Sequence, residues 1–135
     1  MTSPLSHAPF GSFTVLNALQ LDLIECPADA DVRTVARTMA DHRVHCIVVR
    51  GTAPDGWSIV SDLDLMSAVR PDIAGATAGQ LAASDALIVD PSDTLEHAAQ
   101  LMAEHETSHA VVVDPATRRP IGILSTLDIA RFLAA

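Results

Sequence analysis

Pro120-Ile-Gly-Ile-Leu-Ser-Thr-Leu-Asp-Ile-Ala-Arg-Phe132 reads as a short buried strand, Ile121 to Leu124, running into a helix that begins near Ser125 or Thr126. A helix start carries unpaired backbone N–H groups and a partial positive charge. It can hold a phosphate without special chemistry. Gly122 lets backbone or ligand approach closely, and Ser125 offers a hydroxyl at the turn. Asp128, one turn on, offers a carboxylate that can accept two sugar hydroxyls. A plain strand–turn–helix with Ser125 as N-cap accounts for the same residues without a ligand.

The stretch occurs twice. Trp57-Ser-Ile-Val-Ser-Asp-Leu-Asp-Leu-Met66 sets Ser61 against Ser125 and Asp64 against Asp128. Upstream, Val32, Val35, Ala36, Met39 and Ala40 form one apolar helix face. Leu95, Ala98, Ala99, Met102 and Ala103 repeat its spacing. His42 matches His105, Cys46-Ile-Val-Val49 matches His109-Ala-Val-Val112, and Pro27 matches Pro91. Each unit reads strand, helix, strand, strand, helix. One such unit buries too little apolar surface for a robust core, whereas two related by a pseudo-twofold axis bury enough.

These pieces together resemble a tandem pair of CBS domains, often called a Bateman module. The resemblance rests on Asp90-Pro-Ser-Asp-Thr-Leu95, Met102-Ala-Glu-His105, Ala110-Val-Val-Val-Asp114 and Gly122-Ile-Leu-Ser-Thr-Leu-Asp128, and covers about Thr14 to Leu133. It implies an α/β (α+β) fold of two pseudo-twofold-related β-α-β-β-α repeats packed through their sheets. The expected layout is an N-terminal arm over 1–13, repeat 1 over 14–70, a linker over 71–79 and repeat 2 over 80–135. Two departures stand out: Val48 and Val111 replace a proline common in the family's second strand, and Ser58 replaces the glycine kept at Gly122.

Composition narrows the function class. The core is aliphatic, with aromatics at 3%. A net charge of −9 repels phosphate backbones and argues against nucleic acid. One small nucleotide in a locally positive cleft remains compatible with it. The chain has no apolar run long enough to span a membrane. Met1 to Ser12 lacks the basic start and apolar centre of a signal peptide. The expected location is the cytoplasm, where Cys26 and Cys46 stay reduced. Cys26 ends one strand and Cys46 starts another in the same repeat, which leaves a redox bridge open.

Local signals set the remaining elements. Thr14 and Thr77 cap short helices, Val15 to Leu19 and Ala78 to Ala82. First strands follow at about Leu21 to Glu25 and Leu87 to Val89, ended by Pro27 and Pro91. Asp31 and Asp93 are expected caps of the long helices, Asp93 with Glu96 in capping-box spacing. Turn-rich loops, Gly51 to Gly56 and Pro115 to Pro120, close two hairpins. Leu63 to Val69 and Leu127 to Leu133 are the closing helices, with Leu65, Met66, Ile129 and Phe132 as apolar positions for a partner or for the core.

The resemblance also implies two clefts between the repeats. Cleft A takes Ile123, Ser125 and Asp128, faced by Cys26, Ala28, Val44, His45 and Cys46. Cleft B takes Ile59, Ser61 and Asp64, faced by Asp90, Ser92, Thr107, Ser108 and His109. In this scheme the aspartate holds a ribose diol, strand backbone reads adenine, and His45 or His109 contacts phosphate. Those histidines also make sense as polar residues at strand edges. Cleft A is favoured, because it keeps Gly122 and because Asp90 beside Asp64 disfavours an anion in cleft B.

The leading expectation is a non-enzymatic regulatory module. It binds an adenosine ligand such as AMP, ADP, ATP or S-adenosylmethionine, requires no cofactor, and signals to an effector protein, while charge and hydropathy argue against nucleic acid and membrane as partners. A homodimer is expected. The alternatives are a ligand-independent interaction module, and a metal or redox sensor built on His42, His45, Cys46, His105 and His109. No Ser–His–Asp order or Walker loop points to catalysis.

Overall fold

A computed structural model describes residues 12–21, 23–50, 57–70, 72, 75–82 and 86–134. The arm up to Gly11, the loop Gly51 to Gly56, and Pro71, Ile73 and Ala74 of the expected linker lie outside the described residues. The elements run α1 (Val15–Ala18), β1 (Glu25–Pro27), α2 (Val32–His42), β2 (Cys46–Arg50), β3 (Ser58–Ser61) and α3 (Asp62–Ser67). They continue with α4 (Ala78–Leu81), β4 (Ile88–Val89), α5 (Leu95–Glu104), β5 (His109–Val113), β6 (Pro120–Ser125) and α6 (Thr126–Ala134). The fold is mixed α/β, with two three-stranded sheets among the described residues.

The chain divides into two compact units, Met1–Leu23 with Leu87–Ala135, and Ile24–Ala86. Each therefore takes its short leading helix from ahead of the other repeat's first strand. In the first unit, Val15 and Leu16 donate their N–H groups to Asp93 O and Pro91 O, both at 2.9 Å, and Leu95 N donates to Phe13 O at 2.8 Å. In the second, Ala78 N donates to Ala30 O at 2.8 Å and Gly79 N to Ala28 O at 2.9 Å. The same docking is thus built twice from matched residues.

In the first unit β4 pairs parallel to β5, and β5 antiparallel to β6. Val15 and Ala18 of α1 and Leu95, Ala98 and Met102 of α5 pack with Val112 and Leu124. In the second unit β1 pairs parallel to β2, and β2 antiparallel to β3. Val35 and Met39 of α2 pack with Ile47, Val49, Val60, Ala78 and Leu81. The helical stripes anticipated above supply both cores, and their outer members Ala40 and Ala103 reach solvent.

Several boundaries move. β1 begins at Glu25, because Leu23 N closes a tight turn onto Leu21 O at 2.8 Å and Gln20 pairs instead with Ile123 of β6. Asp93 does not cap α5: Thr94 does, accepting from His97 N at 3.0 Å. Asp93 turns its carboxylate to Thr94 N and to the His97 ring at 2.7 Å. Asp31 caps α2 as expected, accepting from Thr34 N at 2.8 Å. On the closing helices, Leu65, Ile129 and Phe132 pack against the cores. The outward apolar positions are Leu63, Met66 and Val69 on and just after α3, and Leu127 and Leu133 on α6.

The two cysteines do not approach one another. Cys26 pairs with Val49, and Cys46 lies three residues before Val49 on β2. Alternation along a strand puts them on opposite faces, and three residues span about 10 Å. A disulfide needs Cα atoms within about 7 Å, so this sheet holds both as buried free thiols. Burial pushes the Cys46 thiol up to about 12, with the Asp62 charge adding to it, and burial also raises Cys26 against the opposing pull of Arg50.

Candidate functional site

Each hairpin ends by turning directly into its closing helix, and that junction places the paired serine and aspartate. In the second unit Ser61 pairs with Cys46 across the sheet, and Asp62 N donates to His45 O at 2.8 Å. Ser61 then caps α3. Ser61 N donates to Asp64 Oδ2 at 2.9 Å, and Asp64 N donates to Ser61 Oγ at 3.1 Å. Among the described residues Ser61 is the one donor to the Asp64 carboxylate, which leaves Oδ1 for other partners.

The first unit repeats the turn but closes it. Ser125 pairs with His109, and Thr126 N donates to Ser108 O at 3.0 Å. Ser125 N and Oγ both donate to Asp128 Oδ2, at 2.8 and 2.9 Å. On the other oxygen, Oδ1, Gln20 Nε2 donates at 2.8 Å and Arg131 Nη1 at 3.3 Å. Asp128 is only 2% exposed. Four donors satisfy a carboxylate buried this deeply, as burial requires.

Gly122 also receives its explanation here. A Cβ at this position would meet Gln20 O and the Leu19 side chain. The close approach inferred from the glycine is made by the chain's own segment, held by Gln20 N to Ile123 O at 2.9 Å and Ile123 N to Gln20 O at 3.0 Å. The counterpart of Leu19 in the other unit is Ala82, and there a buried Ser58 is accommodated.

The remaining expected residues are distributed by unit. Cys26, Ala28, Val44, His45 and Cys46 lie in the second unit with Ile59, Ser61 and Asp64. Asp90, Ser92, Thr107, Ser108 and His109 lie in the first with Ile123, Ser125 and Asp128. Within its own unit, His45 is exposed and its Nδ1 donates to Asp62 Oδ2 at 3.1 Å. The His109 ring is hydrogen-bonded to Ser108 Oγ at 3.0 Å, and Thr107 Oγ1 donates to His109 O at 3.0 Å. Asp90 forms a tight turn, accepting from Ser92 Oγ at 2.6 Å and Ser92 N at 2.8 Å. Those bonds, the hydroxyl's first, hold its carboxyl below the usual range. His42 and His105 donate Nδ1 to the carbonyls of Thr38 and Leu101, at 2.9 and 2.8 Å, and so cap the ends of the two long helices.

Residues outside the expected set matter as much. Gln20 and Arg131 seal Asp128. Phe13 and Phe132 stack edge-to-face with centroids 4.9 Å apart. In the second unit Asp64, Ser67, Ala68, Arg70, Asp72, Ala76, Gln80 and Leu81 line a cavity of about 440 Å³. A doubled motif identifies the serine–aspartate turns, and the exchange of Phe13 for Ala76 before the matched caps Thr14 and Thr77 is a sequence signal that their surroundings differ.

The CBS domain family model matches residues 18–71 and 78–135. The chain belongs to the CBS-domain family. A CBS domain protein from Pyrobaculum aerophilum, solved with AMP, is 27% identical, with a TM-score of 0.74 over 91% of this chain and 100% of that one. The CBS pair of a protein solved with 5′-methylthioadenosine and S-adenosylmethionine is 19% identical, with a TM-score of 0.78 over 90% and 95%. A hexameric CBS-CP12 protein from bloom-forming cyanobacteria is 20% identical, with a TM-score of 0.78 over 87% of this CBS pair and 69% of that chain. A search of curated proteins returned no sequence match. Among the described residues of this CBS pair, no helix is long and apolar enough to cross a membrane.

Proposed function

We propose that this CBS pair is a regulatory module that binds an adenosine-containing ligand through its serine–aspartate turns and passes the bound state to a partner protein. The observation that carries the reading is the open Asp64 carboxylate, whose Oδ1 receives no donor from the described residues. An ionised carboxylate with free lone pairs accepts both hydroxyls of a vicinal diol. The AMP, methylthioadenosine and S-adenosylmethionine bound by the two related CBS proteins all carry that diol.

On this reading Ile59, Ser61 and Asp64 form the readier ribose contact, with Asp90, Ser92, Thr107, Ser108 and His109 as the facing set. Ile123, Ser125 and Asp128, with Cys26, Ala28, Val44, His45 and Cys46, form a second site. There a diol must first displace Gln20 or Arg131 from Asp128. The role is binding, with no reaction assigned, and a cytoplasmic location belongs to it. Exposed Leu63, Met66, Val69, Leu127 and Leu133 are the surface proposed for homodimer or effector contact. The same stripes favour the second reading, a ligand-independent interaction module.

Calorimetric titration of nucleotide-stripped protein with AMP, ADP, ATP and S-adenosylmethionine tests the proposal. The expected result is saturable heat with an adenosine ligand that is lost in Asp64→Ala and kept in Asp128→Ala. Absence of heat from folded protein across the panel leaves the interaction module as the function. Heat indifferent to both substitutions removes the serine–aspartate turns from the site.

A further inference from the structure

The two units treat one equivalent place in opposite ways. Phe13 directly precedes the cap Thr14, and Ala76 directly precedes the cap Thr77. Phe132 stands seven residues after Ser125, and Ala68 seven residues after Ser61. The first unit therefore fills this place with two stacked phenyl rings. The second has two alanines there, and both line the cavity of about 440 Å³. Arg131, which reaches the buried Asp128, corresponds to Ser67, a further small residue on the cavity wall.

We propose that this cavity is a binding pocket for a small molecule carrying a flat aromatic ring and hydrogen-bond donors. Its volume lies in the range of small-ligand pockets, roughly 300–1,000 Å³. Ala68, Ala76 and Leu81 give it an apolar wall. The twin unit shows that a ring suits this position between the closing helix and the short helix. Asp64 supplies an acceptor at the same pocket, while the other charges offset one another: Arg70 Nε lies 3.7 Å from Asp72 Oδ1. A ring with hydroxyl, amino or amidine donors thus replaces the missing phenyl groups and meets the open carboxylate. The inference goes beyond the nucleotide reading. It shares Asp64 with that reading and needs neither a phosphate nor the first unit.

Two ligand sources share this chemistry, a nucleoside and an aryl cation, and adenosine and benzamidine are the respective probes. Each is titrated into ¹⁵N-labelled full-length protein, with shifts read at residues 67–81. The expected result is saturable binding of one probe, weakened roughly ten-fold or more in Ala68→Phe/Ala76→Phe. That variant installs the pair already accommodated by the first unit. Asp64→Asn, which keeps an acceptor for Ser61 N, is the second variant and is expected to weaken binding as well. Adenosine binding identifies the nucleoside source, and benzamidine binding alone the aryl cation.

Failure of both probes to bind folded wild-type protein overturns the pocket. So does binding that survives both variants. AMP heat retained in Ala68→Phe/Ala76→Phe together with undiminished probe binding overturns the pocket while the nucleotide reading stands. Benzamidine binding without heat from adenosine or any of the four adenosine ligands supports the pocket and removes the nucleotide reading.

Discussion

Gln20 and Asp128, 108 residues apart in the chain, are joined by a 2.8 Å bond from the carboxamide Nε2 to the carboxylate Oδ1. The contact turns a serine–aspartate capping turn into a closed one. It fastens the segment after α1 to the start of α6, and so connects the two chain segments that make up the first unit.

Removing Asp128 exposes the consequence. Asp128→Ala leaves the donors of Gln20, Ser125 and Arg131 without their buried acceptor. Hydrogen bonds to charged groups contribute about 1.5–3 kcal/mol each in favourable settings. A loss of about 2–3 kcal/mol in urea unfolding is expected, against about 1 kcal/mol for Asp64→Ala, where mainly a helix cap is lost. Equal losses in the two variants refute the distinction drawn between an open and a closed turn.

Gly122 gives a second comparison. Gly122→Ala drives a methyl group into Gln20 O and Leu19, and the backbone there is pinned by two hydrogen bonds. Overpacking of this kind costs roughly 1–3 kcal/mol. Thermal unfolding of Gly122→Ala is expected to fall well below that of Gly122→Ala/Leu19→Ala, since the double variant removes one of the two clashes. An unchanged melting temperature in Gly122→Ala means the segment does not pack here.

The two cysteines set a pH prediction. Burial pushes the folded Cys46 thiol up to about 12, while an unfolded thiol titrates at about 8.5. Below the unfolded value both states hold the proton and stability is unaffected. Above it the unfolded chain releases the proton first, so stability declines as pH rises from about 8.5 toward 12. Chemical denaturation from pH 7 to 10 is expected to show a decline that is smaller in Cys46→Ala. In native protein at pH 8, an aromatic disulfide reagent should react with neither buried thiol at the rate seen in urea. Under oxidation, Cys26 and Cys46 should not form an intramolecular bridge without unfolding.

Both long helices end on a non-glycine residue in the left-handed region, or directly before one. Arg43 has φ 54° and Glu106 has φ 52°. A side chain there costs roughly 1–2 kcal/mol, partly offset by the entropy glycine loses on folding. Arg43→Gly and Glu106→Gly are each expected to raise stability by a few tenths to about 1 kcal/mol, measured by thermal and urea unfolding. Destabilisation by both variants indicates that the side chains make contributions larger than the strain.

The doubled pattern was legible because it is local. One-face spacing over Val32 to Ala40 and Leu95 to Ala103, the unbroken apolar runs Cys46 to Val49 and Ala110 to Val112, and the Ser-x-x-Asp turns are each signals carried by residues close together in the chain. The cap of α5 was misplaced by one residue because Asp93 and Thr94 are both good caps, and the choice rests on which neighbour engages His97. The outward face of the closing helices was harder to read. Leu65, Ile129 and Phe132 have the same apolar character as Leu63, Leu127 and Leu133, and only packing distinguishes them.

The sequence by itself determined the repeat, the order of the elements, the apolar stripes and the two serine–aspartate turns, since each depends on residues close together in the chain. Tertiary structure decided that each short helix docks in the unit of the other repeat, that Cys26 and Cys46 face apart, and that Gln20 reaches Asp128 while Asp64 stays open. Those outcomes depend on which distant surfaces share a core and which side chains fill it. Hydrophobic burial is non-directional, so a local pattern can specify that a face is buried without naming the residue that will cover it.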